Sequence, residues 1–393
     1  MNRRIYLDYN ATTPCDREVV DVMLPFFAET YGNPSSAHHS YGWIAREAAS
    51  ESTKGIAENL QISEDDLIYT SGATESINMI LKSISGKNKG KRNHIITCRT
   101  EHKAVLDVCQ FLESNEEATV TYLNVNSDGV IDLDELRAAI CSETILVAVM
   151  HSNNETGVIQ PLRRIKEVIE GKDIYLFSDA TQSLGKIPLD DVFDTVDFAC
   201  FSAHKLYGPK GIGLLYVKNR VKNKFLQTFI HGGGQQKKMR GGTLNTPAIV
   251  GFAKAIDLSC SILPQEQIRL IALRDKLESG LLEIEDSISN GGAVQRLPNT
   301  LNISFAYVEG FRLLSALSKY MAVSNGSACN SANENPSHVL VAMGVEPDLA
   351  FSSIRFSLGK YTSESDIDKT IEILTDQVAK QRADNILWER RSL

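Results

Sequence analysis

The sequence predicts an α/β protein built on a mainly parallel sheet covered by helices, and three features predict it. Between about residues 60 and 220, short β-branched runs alternate with segments of helical period, the pattern of strands joined by crossover helices. Ile77, Ile80, Leu81 and Ile84 fall at i, i+3, i+4 and i+7 between two such runs, which defines one apolar helix face. Polar residues gather directly after several of the runs, where open α/β sheets bind ligands.

Taken in order, the expected strands are DLIYT, HIITC, TVTYLNV, TILVAVM, IYLFSD, VDFACFS and IGLLYV. DLIYT runs into SGATES, where Gly72 permits a tight turn and Ala73 and Thr74 begin a helix. HIITC runs into RTEHKAV, with His102 near a helix start, and TILVAVM into HSNNETG, with Asn153 and Asn154. IYLFSD ends at Asp179, followed by ATQS with Gln182. VDFACFS leads into the turn that holds His204 and Lys205. Beyond these, Leu263–Leu282 is charged and helix-periodic and reads as a connector into a second domain, which contains the strand-like NTLNISF and SSIRFSL and a helix from about Glu364 to Lys380. VSNGSACNSANENPS, Val323 to Ser337, is a polar loop of small residues carrying one cysteine. No internal repeat or low-complexity tract interrupts the chain.

Length and composition bound the function. A chain of 393 residues suits one large and one smaller domain. The expected division is residues 15–260 against residues 1–14 with 261–393, the smaller part carrying the cysteine loop at about 323–337. A net charge of −8 supplies no electrostatic reason for direct nucleic-acid binding. The seven cysteines are an odd number and lie scattered, with no Cys-x-x-Cys pair, which argues against a disulfide framework and a zinc site. MNRRIYLDYN has no apolar signal core, and no apolar run approaching a membrane span is expected, so the reading is cytoplasmic with no membrane partner.

The chemistry centres on Lys205. A lysine between two core strands is partly desolvated, which lowers its ammonium pKa and frees the amine for a Schiff base with an aldehyde. GPKGIG, which holds Lys210, lacks the Lys-Ser/Thr ending and following helix of a phosphate loop. The helix start after SG suits a phosphate, through its free N–H groups and dipole. Asp179 closes an apolar run, where an unpaired carboxylate is costly, so it calls for a cationic partner such as a pyridinium nitrogen. An aldehyde-reactive lysine, a phosphate-binding helix start and a carboxylate for a ring nitrogen are what pyridoxal 5′-phosphate requires.

With these pieces in order, the chain resembles the cysteine desulfurases of the NifS/IscS family in the class-V aminotransferase superfamily, most closely the IscS branch. The resemblance runs from YLDYNATTP through YGNPSSAH, TSGATESIN, TEHKAVLD, NNETGVIQP, DATQSLGK, SAHKLYGPKGIG, HGGG and MRGGTLN to SNGSAC and SIRFSLGKYT. It implies a fold-type I pyridoxal-phosphate transferase that converts L-cysteine to L-alanine and passes the sulfur to an acceptor protein. Iron-sulfur cluster assembly, tRNA thiolation and DNA phosphorothioation all draw on such enzymes.

Residue by residue, Lys205 resembles the Schiff-base lysine. Ala73, Thr74, Ser202 and His204 resemble the phosphate contacts, and Thr243 a phosphate contact supplied across a homodimer. His102 resembles the ring-stacking, proton-transferring histidine, and Asp179 and Gln182 the groups on the ring nitrogen and ring hydroxyl. Asn154 and Arg355 resemble the holders of the substrate carboxylate, a task for which a guanidinium fork is suited. Cys329 resembles the persulfide-forming nucleophile, and its polar, glycine-containing setting fits an accessible thiolate.

Two segments depart from the family: QQKKMRGG replaces the usual HERGMRSG, and the chain ends at LWERRSL where IscS proteins usually continue with a scaffold-docking tail. The rivals are a selenocysteine lyase-type enzyme, against which the long Cys329 loop argues, and a silent homologue serving as a binding scaffold, against which the presence of Lys205 and Cys329 argues.

Overall fold

The computed structural model describes residues 4–88, 92–219, 227–325 and 336–390. Cys329 and most of the loop expected at 323–337 lie outside the described residues. In chain order the strands are Ile5–Tyr6 (β1), Leu67–Thr70 (β2), His94–Cys98 (β3), Thr119–Leu123 (β4), Thr144–Ala148 (β5), Tyr175–Asp179 (β6) and Phe198–Ser202 (β7). Then come Gly213–Val217 (β8), Ser287–Ser289 (β9), Thr300–Phe305 (β10), Met321–Ala322 (β11) and Ser353–Ser357 (β12).

Seven of them form one sheet in the order β2-β8-β7-β6-β5-β3-β4. Neighbours from β7 to β4 pair in parallel, and β8 alone runs antiparallel to both its neighbours, as a mainly parallel sheet requires. Each strand feeds one residue to either face in turn. Leu214 and Tyr216 join the core under helix Ser40–Leu60, while Leu215 and Val217 join the core under helices Ala73–Asn88 and Lys103–Ser114. The predicted face of Ile77, Ile80, Leu81 and Ile84 is fully buried in that second core.

A second sheet, β12-β10-β9, is antiparallel and packs with helices Gly310–Leu317 and Glu364–Ala383 around a third core. Helix Glu364–Ala383 starts at the predicted residue, with a capping box between Ser363 and Asp366.

Two expectations need correction. Leu263–Leu282 is the second half of one helix, Thr246–Leu282, with Pro264 inside it. Its first half buries Ile249, Phe252 and Ile256 against the large sheet, and its second half buries Leu273, Leu277 and Leu281 in the third core. Burial on both sides outweighs the hydrogen bond that proline removes. By length and composition this helix also reaches what a membrane span needs, contrary to the expectation that no such run exists. The apolar residues named above meet other protein side chains.

Candidate active site

A cavity of about 660 Å³ opens beyond the carboxyl ends of β3, β5, β6 and β7. Its wall carries Ala73, Thr74, His102, Asn154, Asp179, Gln182, Ser202, His204, Lys205 and Arg355, residues drawn from separate stretches of the chain. Thr243 is exposed and does not line it.

One side of the cavity is the start of helix Ala73–Asn88, whose first amides have no carbonyl one turn earlier to bond and so suit a phosphate. Glu75 in that turn is clamped by Arg240, with Nε at 2.8 Å, and its other oxygen accepts the Ser71 amide at 2.7 Å. These partners hold its carboxyl below the ordinary range against the opposing effect of burial. The turn also depends on a glycine opposite it. A Cβ on Gly213 would lie 2.6 Å from the Cα of Gly72 and 2.5 Å from the Phe201 carbonyl oxygen. Gly213→Ala is expected to cost about 1–3 kcal/mol of stability and to weaken phosphate binding. Thermal melts with and without inorganic phosphate read both effects.

Lys205 sits in a single 3-10 turn, Ala203–Lys205, directly after β7. Its Nζ donates to the carbonyl oxygens of Asn10 and Ala11 at 2.7 and 2.8 Å. Beside it, burial and then Lys205 and Lys210 push His204 down to about 4, so its ring is neutral. His204 Nδ1 lies 3.1 Å from the Thr12 hydroxyl.

Asp179 ends β6, 6% exposed. Its Oδ1 accepts the Thr181 amide at 3.0 Å and the Cys200 thiol at 3.5 Å, and among the described residues no side-chain cation forms an ion pair with it. Among the described residues, then, this buried carboxylate lacks the cationic partner expected for it, and the cavity in front of it fits a protonated ring nitrogen. His102 caps helix Lys103–Ser114, its Nδ1 accepting the Ala104 amide at 3.1 Å. That bond fixes the neutral tautomer, leaving the proton on Nε2. Burial lowers its pKa, opposed by Asp179 and reinforced by Lys205.

Arg355 lies on β12 and comes to the cavity because β12 and β10 pair beside it. Nη2 donates to Asp8 Oδ1 at 2.7 Å and Nη1 to the Asn154 carbonyl at 3.2 Å, while the buried Nε has no hydrogen-bond partner. A guanidinium held this way retains donor capacity for a carboxylate.

The half-buried Lys205, the buried Asp179 carboxylate and the helix start thus fit pyridoxal phosphate. Sequence reasoning missed Asp8, Asn10, Glu155 and Lys186. Asp8 and Asn10 follow the two-residue strand β1, in an isolated bridge to Ser357 and the turn after it, and their partners are hundreds of residues away. Glu155 accepts the hydroxyl of Ser337, the last residue of the expected Cys329 loop, at 2.5 Å. No local periodicity marks any of them.

Comparison with known proteins agrees with this geometry. The family described as aminotransferase class-V matches residues 5–370. The chain is 48% identical over 391 residues to a protein of Pasteurella multocida named cysteine desulfurase IscS, covering 99% of this chain and 96% of that one. A solved NifS-like protein superposes with a TM-score of 0.89 at 38% identity, covering 96% of this chain and all of that one. A structure described as SspA in complex with cysteine gives 0.79 at 36% identity, over 91% of this chain and 100% of that one. With fold, site and near full-length similarity in accord, the chain belongs to the class-V aminotransferase family and, within it, to the cysteine desulfurases of the NifS/IscS type.

Proposed function

We propose that this protein is a pyridoxal-phosphate-dependent cysteine desulfurase that converts L-cysteine to L-alanine and places the sulfur on Cys329 for transfer to an acceptor protein. The observation that carries the reading is Asp179, a buried carboxylate with no ion-paired side-chain cation among the described residues, facing the same cavity as the Lys205 amine. When bound, pyridoxal phosphate supplies the electron sink that lets the substrate Cα–H ionise.

The remaining work falls to the chain. Ala73, Thr74, Ser202 and His204 hold the phosphate, Asp179 the ring nitrogen and Gln182 the ring hydroxyl. Arg355 and Asn154 bind the substrate carboxylate and orient Cα toward Lys205. Lys205 Nζ takes the Cα proton, and His102, which carries a proton on Nε2, serves proton transfer on the other side of the reaction. The Cys329 thiolate attacks the substrate sulfur. An S–S bond forms as the Cβ–S bond breaks, the bonding pair stays with the carbon fragment, and protonation completes the methyl group of alanine. Overall, L-cysteine and one protein thiol become L-alanine and one protein persulfide.

Incubating the pure protein with cofactor, L-cysteine and a thiol reductant should yield equal amounts of alanine and sulfide. No alanine would leave a binding scaffold as the reading, and a strong preference for L-selenocysteine would leave a lyase of that amino acid.

The active unit in this reading is a cytoplasmic homodimer with a protein acceptor, no nucleic acid bound directly and no membrane. Support for the dimer comes from Thr243, which is outside its own cavity, and from Phe27, Tyr31 and Trp43, which are 63%, 65% and 54% exposed along one N-terminal stretch. Sedimentation at micromolar concentration should show a dimer, and Trp43→Glu should weaken it. An active monomer would refute this part. The division into residues 15–260 and residues 1–14 with 261–393 is supported by the β1–β11 pairing and by Leu7 in the third core.

A further inference from the structure

Lys186 is a buried lysine that the scheme above does not use. It follows β6 and is 9% exposed, and its Nζ donates to Gln182 Oε1 at 2.6 Å and to Asn10 Oδ1 at 3.1 Å. Both partners are neutral amide oxygens. The charged groups that act on it are Lys205 after β7 and Arg355 of β12, both cationic. Asp8 is engaged by Arg355, and Asp179 faces His102 and Cys200. Burial, reinforced by those two cations, pushes the Lys186 ammonium well below the usual lysine range. A lysine placed among amides and cations is costly to fold around, and a methionine of similar size would pack there without that cost.

What lysine supplies is a donor that cannot accept when charged and still offers two N–H groups when neutral. Gln182 must therefore turn Oε1 toward Lys186, and its Nε2 donates to the Asn10 carbonyl oxygen at 3.0 Å. The same oxygen receives Lys205 Nζ at 2.7 Å. Asn10 is fixed in turn: Oδ1 faces Lys186 and Asn299 Nδ2, while its Nδ2 donates to Thr300 Oγ1 at 2.9 Å and to the Asn154 carbonyl at 3.2 Å. We infer that Lys186 is a positioning residue, which sets the amide orientations of Gln182 and Asn10 and through them the resting place of the Lys205 amine. The inference rests on the proposed cofactor reading.

Its test uses the full-length protein loaded with pyridoxal phosphate. Lys186→Met should weaken cofactor binding about tenfold, the worth of one hydrogen bond, and should move the midpoint at which the visible band titrates with pH. Lys186→Gln keeps an N–H donor and should recover most of both. Should Lys186→Met fail to fold, Gln182→Met removes the acceptor from the cavity side, and adding Lys186→Gln to it should weaken cofactor binding no further. Wild-type binding and titration in Lys186→Met, no recovery in Lys186→Gln, or a further loss in the double variant would overturn the inference. A wild-type protein with no visible band would instead sink the cofactor reading itself.

Discussion

Lys205→Ala is expected to lose the visible absorbance of the cofactor-loaded protein and to form alanine from L-cysteine at least about 10³-fold more slowly. In the proposed reading two roles end together, because one amine both anchors the aldehyde and takes the Cα proton. Lys103 and Lys210 also line the cavity, but among the described residues only Lys205 occupies the single turn after β7, with its Nζ on the Asn10 and Ala11 carbonyls. Lys186 is committed to Gln182 and Asn10. Absorbance scans and chromatographic alanine assays read the two losses. A variant that kept both band and turnover would remove Lys205 from the mechanism.

Cys329→Ser should separate cofactor chemistry from sulfur transfer. The variant is expected to fold, bind pyridoxal phosphate and change its spectrum on addition of L-cysteine, yet to release alanine about 10²-fold more slowly or worse, because a serine hydroxyl stays protonated where a thiol ionises. The described cysteines in the core offer no substitute. Burial pushes Cys98 and Cys109 up to about 12 and Cys200 well above the ordinary thiol range, so none presents a thiolate at neutral pH. Peptide mass spectrometry of wild-type protein treated with L-cysteine, without an acceptor, should find one added sulfur on the peptide containing Cys329. Sulfur on Cys98 or Cys109 instead would show the wrong nucleophile had been chosen.

The large sheet was legible because its strands, the edge strand β4 excepted, bury both faces. Runs such as ILVA and GLLYV are almost wholly apolar and rich in β-branched and aliphatic residues, and the helices between them declare one apolar face. Lys205, Asp179 and the start of helix Ala73–Asn88 were legible for a related reason: a polar residue at the end of a buried strand has to have a partner outside the sheet. The joining of Leu263–Leu282 to the helix before it was not legible, since a proline inside the run reads locally as a break. Only packing against two cores keeps that helix continuous.

By itself, then, the sequence determined the strand and helix pattern, the polar strand ends and, through resemblance, the chemistry they serve. Tertiary structure decided the contacts that cross the chain. Asp8 steadies Arg355 over 347 positions, Asn10 meets Thr300 over 290 and Lys186 over 176, and Gln182 reaches back to Asn10 over 172. Periodicity and turn chemistry report only on near neighbours. Which distant amide a buried lysine must orient is settled when the N-terminal strand pairs with β11 and the turn after it is drawn against Lys205 and Ser357.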